Sequence, residues 1–468
     1  MLSILSKFGW TSFSSIMRGG FQIAQLILMT RLLAPSELGV FALVMMVVGL
    51  SQVFSDAGLS QAVIYFRNLN FSRLQEIYLF NVLLGLGVSL ILFLSSMLVW
   101  IYNDEYVLCL YLMLISPIFL IRSIGQQSSA LLQKDMRFRL LAKIEVISSL
   151  LGFLTFTSLI YLDFRVFSLI MSQIVIASVM TMLLKVNKKT KIPKKFSIRF
   201  LDNISVYKYG LFQSLEAMLN YISSQFDQLI LVSTLGVNTL GIYSSIKELV
   251  FKPAFLFVNP IFNRVSFPLM VNSDEGKLKN VYFWLMNALS MVLLPFYSLV
   301  FLYSSEILAF VFGEEWSQHF LLLQLLSIYM FILAIINPSG SLLKATGEVK
   351  LGFYWNLVCS ILRPIVMLFS IQYGLETMLY SLIFYQFVIL IVHCIVLVYP
   401  NSNLGIFDYM LSISSSIILL FFSFSITYFI SIEFDNIYWI KKLLITSFVF
   451  LFLLSIYSVG ILKFRESS

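Results

Sequence analysis

The chain has 468 residues; hydrophobic types make up 59% of it, charged types 12%, and the net charge is +8. A soluble domain carries roughly 25% charged residues, so this chain has too little charge to clothe a water-soluble globule, and its mean hydropathy of +0.93 agrees. The surplus apolar surface must face lipid, which makes the chain a polytopic membrane protein.

A membrane helix needs about 20 apolar residues, and about fourteen such stretches can be laid along the chain. A β-barrel does not fit, because its strands are about ten alternating residues. In chain order the predicted spans are 10–33, 40–65, 77–102, 107–131, 139–162, 165–187, 203–234, 238–270, 278–304, 319–345, 350–373, 376–399, 405–432 and 439–463. The fold class is therefore all-α. No connector can hold a soluble catalytic domain of roughly 100 to 150 residues. The first span is expected to be a retained helix: Arg18 and Gln22 interrupt its apolar run, and no small-residue cleavage site follows.

Charge fixes the expected orientation. With the N-terminus inside, one side collects Lys7, Arg67, Arg73, Lys134, Arg137, Arg139, Arg264, Lys277, Lys279, Lys344, Lys350, Lys463 and Arg465. The same side holds the basic run from Lys185 to Arg199. The opposite side holds Arg31, Arg165, Lys441 and Lys442 beside the acidic Asp104, Glu105, Glu314, Glu315, Glu433 and Asp435. The positive-inside rule then puts both termini in the cytoplasm of a plasma membrane, and it accounts for the +8 without a nucleic-acid partner. Cys109, Cys359 and Cys394 lie inside spans and form neither a metal motif nor a disulfide framework. His319 and His393 are far apart in sequence, so no zinc cluster is expected.

The basic stretch 188–202 divides the chain. Residues 1–187 form an expected N-lobe of six spans and 203–400 an expected C-lobe of six. Residues 401–468 add two spans and a tail. An internal repeat supports this division. Gln22-Ile-Ala-Gln25-Leu-Ile-Leu in span 1 matches Gln225-Phe-Asp-Gln228-Leu-Ile-Leu in span 7. Leu38-Gly39-Val40-Phe41 then matches Leu240-Gly241-Ile242-Tyr243. Six spans separate the copies, so both halves run the same way. Parallel repeats about an axis along the membrane normal mark transporters, with the substrate path between the halves.

Ionisable groups inside a bilayer cost about 2.5 kcal/mol or more each and usually face a cavity or a partner. Span 1 carries Ser14, Arg18, Gln22 and Gln25 on one helical face. Span 7 carries Gln213, Glu216, Asn220 and Asp227, with Glu216 and Asp227 roughly 16 Å apart along the axis. The two stripes read as walls of one cavity, or as hydrogen-bond glue between helices. Span 2 holds Asp56 and Gln61, and span 4 holds Arg122, Gln126 and Gln127. Span 8 holds Lys247, Glu248, Lys252 and Pro253, where Glu248 and Lys252 are also placed to pair with each other. Span 11 holds Asn356, Ser360, Arg363 and Pro364. Lys143, Lys208 and Glu145 lie near span ends and are expected to snorkel to the headgroups. A cavity lined by Arg, Gln and Asn suits an anionic, hydroxyl-rich ligand. A single carboxylate there suits a proton or a sodium ion.

Several segments resemble one family. They are Arg31-Leu-Leu-Ala-Pro35 with Glu37-Leu-Gly39-Val-Phe41, and Leu131-Leu-Gln-Lys-Asp-Met-Arg137-Phe-Arg139. Asp227-Gln-Leu-Ile-Leu with Leu240-Gly-Ile-Tyr243, and Leu343-Lys-Ala-Thr-Gly347, complete the set. Over spans 1 to 12 the chain resembles the Wzx-type flippases of the multidrug/oligosaccharidyl-lipid/polysaccharide exporter superfamily, nearest to the colanic-acid and teichuronic-acid exporters. The resemblance implies two six-helix lobes around a cavity, alternating access, and no catalysis. The cargo it implies is an undecaprenyl-diphosphate-linked oligosaccharide for O-antigen, capsule or exopolysaccharide, moved across a bacterial inner membrane by a monomer. Polymerase and chain-length proteins of the same pathway are implied partners. No cofactor is implied beyond coupling to a proton or sodium gradient or the membrane potential.

On that resemblance Arg18, Arg122, Lys252 and Arg363 would hold the pyrophosphate, and Gln22, Gln25, Asn220 and Asn356 would face sugars. Asp56, Glu216, Asp227 and Glu248 would serve ion coupling. No metal site is implied. The last two spans are similar to the extra pair of lipid II flippases. The alternatives are a lipid II flippase, a drug/cation antiporter of the same superfamily, and a membrane polysaccharide polymerase or ligase. The short acidic outer connector 305–318 counts against the enzyme, and the cationic interior counts against the antiporter.

Overall fold

The computed structural model describes residues 2–66, 69–102, 106–186, 204–271, 273 and 275–414, with a few isolated positions beyond 420. The described residues are helical, with no strand among them. The basic stretch 188–202, the connector with Asp104 and Glu105, span 13 beyond residue 414 and nearly all of span 14 lie outside the described residues.

Helix breaks follow from the sequence. α1 (Leu2–Leu32) ends before Ala34-Pro35. α2 (Pro35–Asp56) starts on that proline, whose missing N–H costs nothing at a first helical position. The Glu37 carboxylate accepts the Ala34 N–H at 2.9 Å and closes the turn. α2 stops at Ala57 (φ 45°) and Gly58 (φ 64°), and α3 (Leu59–Tyr65) resumes. Gly58 is the residue that makes this left-handed step cheap. Across the break, Ser60 Oγ donates to Asp56 Oδ1 at 2.7 Å.

α4 (Phe71–Tyr102) is continuous, and Ser116-Pro117 separates α5 (Tyr106–Ile115) from α6 (Ile118–Lys134). α7 (Phe138–Tyr161) and α8 (Arg165–Val186) complete the first six predicted spans. α9 (Ile204–Lys252) is two arms joined at Gly236, which sits at φ 82°, ψ 176°. Pro253 then opens a wide-turn stretch, Pro253–Val258, before α10 (Asn259–Val271). A proline supplies no N–H to the helical ladder, and the wider turn absorbs the gap.

The remaining helices are α11 (Glu275–Leu302), α12 (Ser304–Val311), α13 (Phe320–Ile335), α14 (Ser339–Thr346), α15 (Val349–Ser370), α16 (Leu375–His393) and α17 (Tyr399–Ser402). Ten described segments are long and apolar enough to cross a membrane. One of these, Ile204–Val258, contains both arms of α9. α1 is 31 residues long, or roughly 46 Å, enough for a further crossing. The first twelve predicted spans thus each find a helix or a broken pair of helices. The chain is a multi-pass membrane protein.

Contacts gather into two units, Met1–Ser245 and Ile246–Ser468. In the first, α1 packs on α7, α7 on α8, and α4 and α8 on α6. Val44 and Val48 of α2 meet Ile118 and Phe119 of α6 and Ile170 and Ala177 of α8 in its core. In the second, α11 packs on α13 and α13 on α16. Its core joins Tyr282 and Met286, Ile332 and Ile335, Leu390, and Tyr409 and Ile413. The helical start of span 13, 406–414, is fastened to α11: Lys279 Nζ lies 2.7 Å from Asp408 Oδ2, and Asn287 Nδ2 donates to the Ser412 carbonyl at 3.2 Å.

The usual inside–outside pattern is turned over along α4, where Leu90, Leu94, Leu98 and Ile101 are all exposed. At three- and four-residue spacing they form the face that lipid covers. Gly87 of the same helix has nothing within 4 Å of where a Cβ would stand. Gly87→Ala is therefore expected to stabilise the protein by about 0.5–1 kcal/mol through helix propensity alone. A thermal melt in detergent measures it, and a lower melting temperature would contradict the open placement.

Candidate functional site

In the first unit the polar face of α1 meets α7. Ser14 is buried, Arg18 and Gln25 are half-buried, and Gln22 is exposed. Arg18 Nη2 lies 3.5 Å from Glu145 Oε2, while the buried Arg18 Nε has no hydrogen-bond partner. The sequence places Glu145 at the headgroups with Lys143 and Lys208. The two lysines are exposed, but Glu145 turns inward to Arg18. A carboxylate and a guanidinium on packed helices lower each other's cost in a poor solvent.

α2 and α6 carry a second polar cluster. Arg122 Nη1 donates to Gln52 Oε1 at 2.9 Å. One turn along both helices, Gln126 Nε2 donates to Asp56 Oδ1. The four-residue spacings 52/56 and 122/126 put the pairs on facing ridges, two rungs of one ladder. Gln127 points the other way and donates to the Leu74 carbonyl at 2.8 Å. Gln52 was not singled out by the sequence. Its position one turn before Asp56 was the available signal.

In the first arm of α9, Asn220 is exposed, and the side chain of Glu216 lies outside the described residues. Tyr221 donates its hydroxyl to the Met46 carbonyl at 2.9 Å. Asp227 is fully buried. Its Oδ2 accepts the Tyr243 hydroxyl at 2.7 Å and its Oδ1 the Gln228 N–H at 2.9 Å. Asp227 and Tyr243 stand on opposite sides of Gly236, so this bond clasps the two arms.

In the second unit Glu248 and Lys252 pair at 2.5 Å along one helix face. Tyr297 caps the Val250 carbonyl nearby at 3.0 Å. Arg363 lies over the Tyr329 ring, 5.8 Å from its centroid, and Asn356, two turns earlier on α15, is exposed. His393 is buried between the Trp355 and Tyr409 rings, at 5.8 and 6.3 Å between centroids. Among the described residues no group of three or more His, Cys, Asp or Glu is placed to hold a metal ion. Arg18, Arg122, Gln22, Gln25, Asn220, Asp56 and Asp227 thus belong to the first unit. Lys252, Arg363, Asn356 and Glu248 belong to the second.

Taken with the helix order, this arrangement of cations, amides and clasped carboxylates inside apolar helices can be compared with known proteins. A family model described as "Polysaccharide biosynthesis protein" matches residues 28–321, more than half of the chain. The chain belongs to that family. It is 25% identical over 373 residues to the teichuronic acid biosynthesis protein TuaB of Bacillus subtilis (strain 168), covering 79% of this chain and 77% of that one. It is 24% identical over 350 residues to the lipopolysaccharide biosynthesis protein WzxC of Escherichia coli (strain K12), covering 74% and 71%. Its fold is similar to that of the lipid II flippase MurJ in an inward closed conformation, with a TM-score of 0.72 and 15% identity. That match covers 98% of this chain and 100% of the other. The family and the fold are those that the sequence resemblance implies.

Proposed function

We propose that this protein is a flippase that carries undecaprenyl-diphosphate-linked oligosaccharide repeat units from the cytoplasmic to the outer leaflet by alternating access. The observation that supports it most is the pair of half-buried guanidinium groups, Arg18 and Arg122. Both are kept inside the apolar helices of a polysaccharide-biosynthesis family member by partners on neighbouring helices. A guanidinium presents two parallel N–H donors, which match two oxygens of a phosphate. Arg18 and Arg122, with Lys252 and Arg363, hold the pyrophosphate. Gln22, Gln25, Asn220 and Asn356 face the sugars, because an amide both donates to and accepts from a hydroxyl.

Residues 1–187 and 203–400 are the two lobes, with both termini cytoplasmic. A coupling proton or sodium ion binds at an intramembrane carboxylate, Asp56, Glu216 or Glu248, since Asp227 is taken up by Tyr243 and Gln228. Polymerase and chain-length proteins take over the exported unit.

The test is complementation. A strain that lacks its own repeat-unit flippase is expected to regain surface glycan when it expresses this chain. Lipid-linked repeat units that stay in the cytoplasmic leaflet, with the protein present at normal level, would sink the reading. Chain extension by the purified protein without translocation would point to an enzyme instead.

A further inference from the structure

The two copies of the repeat motif touch. A Cβ built on Gly39 would lie 1.9 Å from the Val237 carbonyl oxygen. One built on Gly241 would lie 1.8 Å from the Pro35 carbonyl oxygen and 2.7 Å from the Gly39 nitrogen. Pro35 stands four residues before Gly39, and Val237 four before Gly241. Each motif's glycine therefore rests on the carbonyl one turn before the other's glycine. Such a reciprocal exchange is what two copies of one element make about a two-fold axis. The nearest atom met in each case is a backbone carbonyl oxygen, with the Val237 Cγ1 also 2.8 Å from the Gly39 position, so no rotamer change alone makes room for a larger residue.

A second crossing joins the same helices near the other end of α2. A Cβ on Gly210 would lie 2.6 Å from the Ala57 carbonyl oxygen, and one on Gly58 2.3 Å from the Gly210 carbonyl oxygen. From Gly39 to Gly58 is roughly 28 Å along a helix, close to the thickness of the hydrocarbon core of about 30 Å. Along α2 the two crossings are thus separated by about the thickness of one hydrocarbon core.

We propose that these crossings are the gates of the transport cycle. The Gly39–Gly241 exchange seals one face and the Gly58–Gly210 contact seals the other, and cargo passes when one parts while the other stays shut. This rests on the flippase reading. Glycine on backbone is suited to the task. At the crossings the nearest atoms are backbone carbonyls, which lets the helices approach closely. Between the crossings the Tyr221 hydroxyl bond to the Met46 carbonyl joins the same helices and must yield for them to separate. Reciprocity adds a further property: the two halves of the Gly39–Gly241 exchange must part together, which makes that gate two-state.

Gly241 and Gly210 lie in helix away from the left-handed region, so substitution there probes the crossing alone. Spin labels at the exposed pair Ser36 and Asn238 read one gate, and labels at the exposed pair Gln61 and Lys208 read the other, in lipid nanodiscs. Gly241→Val is expected to lengthen the first distance by several ångströms and leave the second unchanged. Gly210→Val is expected to do the reverse, and each variant should lose at least tenfold in glycan export. Gly241→Ala and Gly210→Ala serve where the valine variants do not fold.

Independently, Ser36→Cys with Asn238→Cys can be bridged by a cleavable cross-linker in a chain carrying Cys109→Ala, Cys359→Ala and Cys394→Ala. Export should stop on bridging and return on cleavage. Unchanged label distances in the folded variants, or undiminished export by the bridged chain, would overturn the gate assignment. Failure of the unmodified chain to export glycan would instead overturn the flippase reading.

Discussion

Replacing Arg18 and Arg363 together by alanine is expected to abolish surface glycan while the protein still reaches the membrane at its normal level. A hydrogen bond to a charged group contributes about 1.5–3 kcal/mol, and about 1.4 kcal/mol is a factor of ten. Loss of both groups should therefore cut export by more than about a hundredfold. Lysine at either position keeps the charge but loses the bidentate fork, so Arg18→Lys should recover only part of the activity.

The Glu145 pair supplies the control. If Arg18 only neutralises Glu145, then Arg18→Ala with Glu145→Gln should restore export, since no buried charge is left uncompensated. If Arg18 holds the cargo, that double variant stays inactive and Glu145→Gln alone stays active. The four export rates form one cycle, and recovery in the double variant would remove Arg18 from the pyrophosphate site. Arg363 lies over the Tyr329 ring, and Tyr329→Phe keeps that ring and should leave export intact.

How far the sequence could anticipate these contacts depends on their range. Helix breaks at Ala34-Pro35 and Gly236 are local, dictated by a missing N–H or a left-handed φ that residue type reports. The break at Ala57 and Gly58 instead falls inside the predicted span 40–65, because Ala57 takes a left-handed φ that its residue type does not announce. The polar stripe of α1 is also local, because four-residue spacing puts Arg18 and Gln22 on one face whatever lies opposite. The partner across the gap is not local. Arg18 and Glu145 lie on α1 and α7, and nothing in either helix names the other. Nearness to a span end suggested headgroups for Glu145, and packing decided otherwise.

The α2–α6 ladder is an intermediate case. Asp56, Arg122 and Gln126 stood out as polar groups in apolar runs, but their pairing with Gln52 and with each other needed the two helices side by side. The repeat went furthest. Matching Leu38-Gly39 with Leu240-Gly241 predicted two related elements, and the structure brings those same glycines into reciprocal contact. His393 shows the opposite limit. Lone in sequence and ringed by Trp355 and Tyr409 in space, it had no spacing that could have placed it.

Tyr243→Phe and Asp227→Asn are expected to destabilise the protein rather than to uncouple it. Asp227 is fully buried, and both of its oxygens accept hydrogen bonds, one from Tyr243 across the Gly236 break and one from the Gln228 N–H. Gly236 itself contributes backbone freedom and no contact within 4 Å of a Cβ, so the angle between the two arms of α9 must be set by what bridges them. Removing the Tyr243 hydroxyl leaves a buried carboxylate with one donor fewer. By the worth of a charged hydrogen bond this should cost about 1.5–3 kcal/mol. Asp227→Asn keeps the shape and an acceptor for Tyr243 but loses the charge-assisted part, so its cost should be smaller than that of Tyr243→Phe. Melting temperature in detergent ranks the two, and export per folded molecule should stay close to that of the unmodified chain in both. A coupling carboxylate predicts the opposite signature. Asp227→Asn would then flatten the pH or sodium dependence of export at unchanged melting temperature, and that result would return Asp227 to the coupling site.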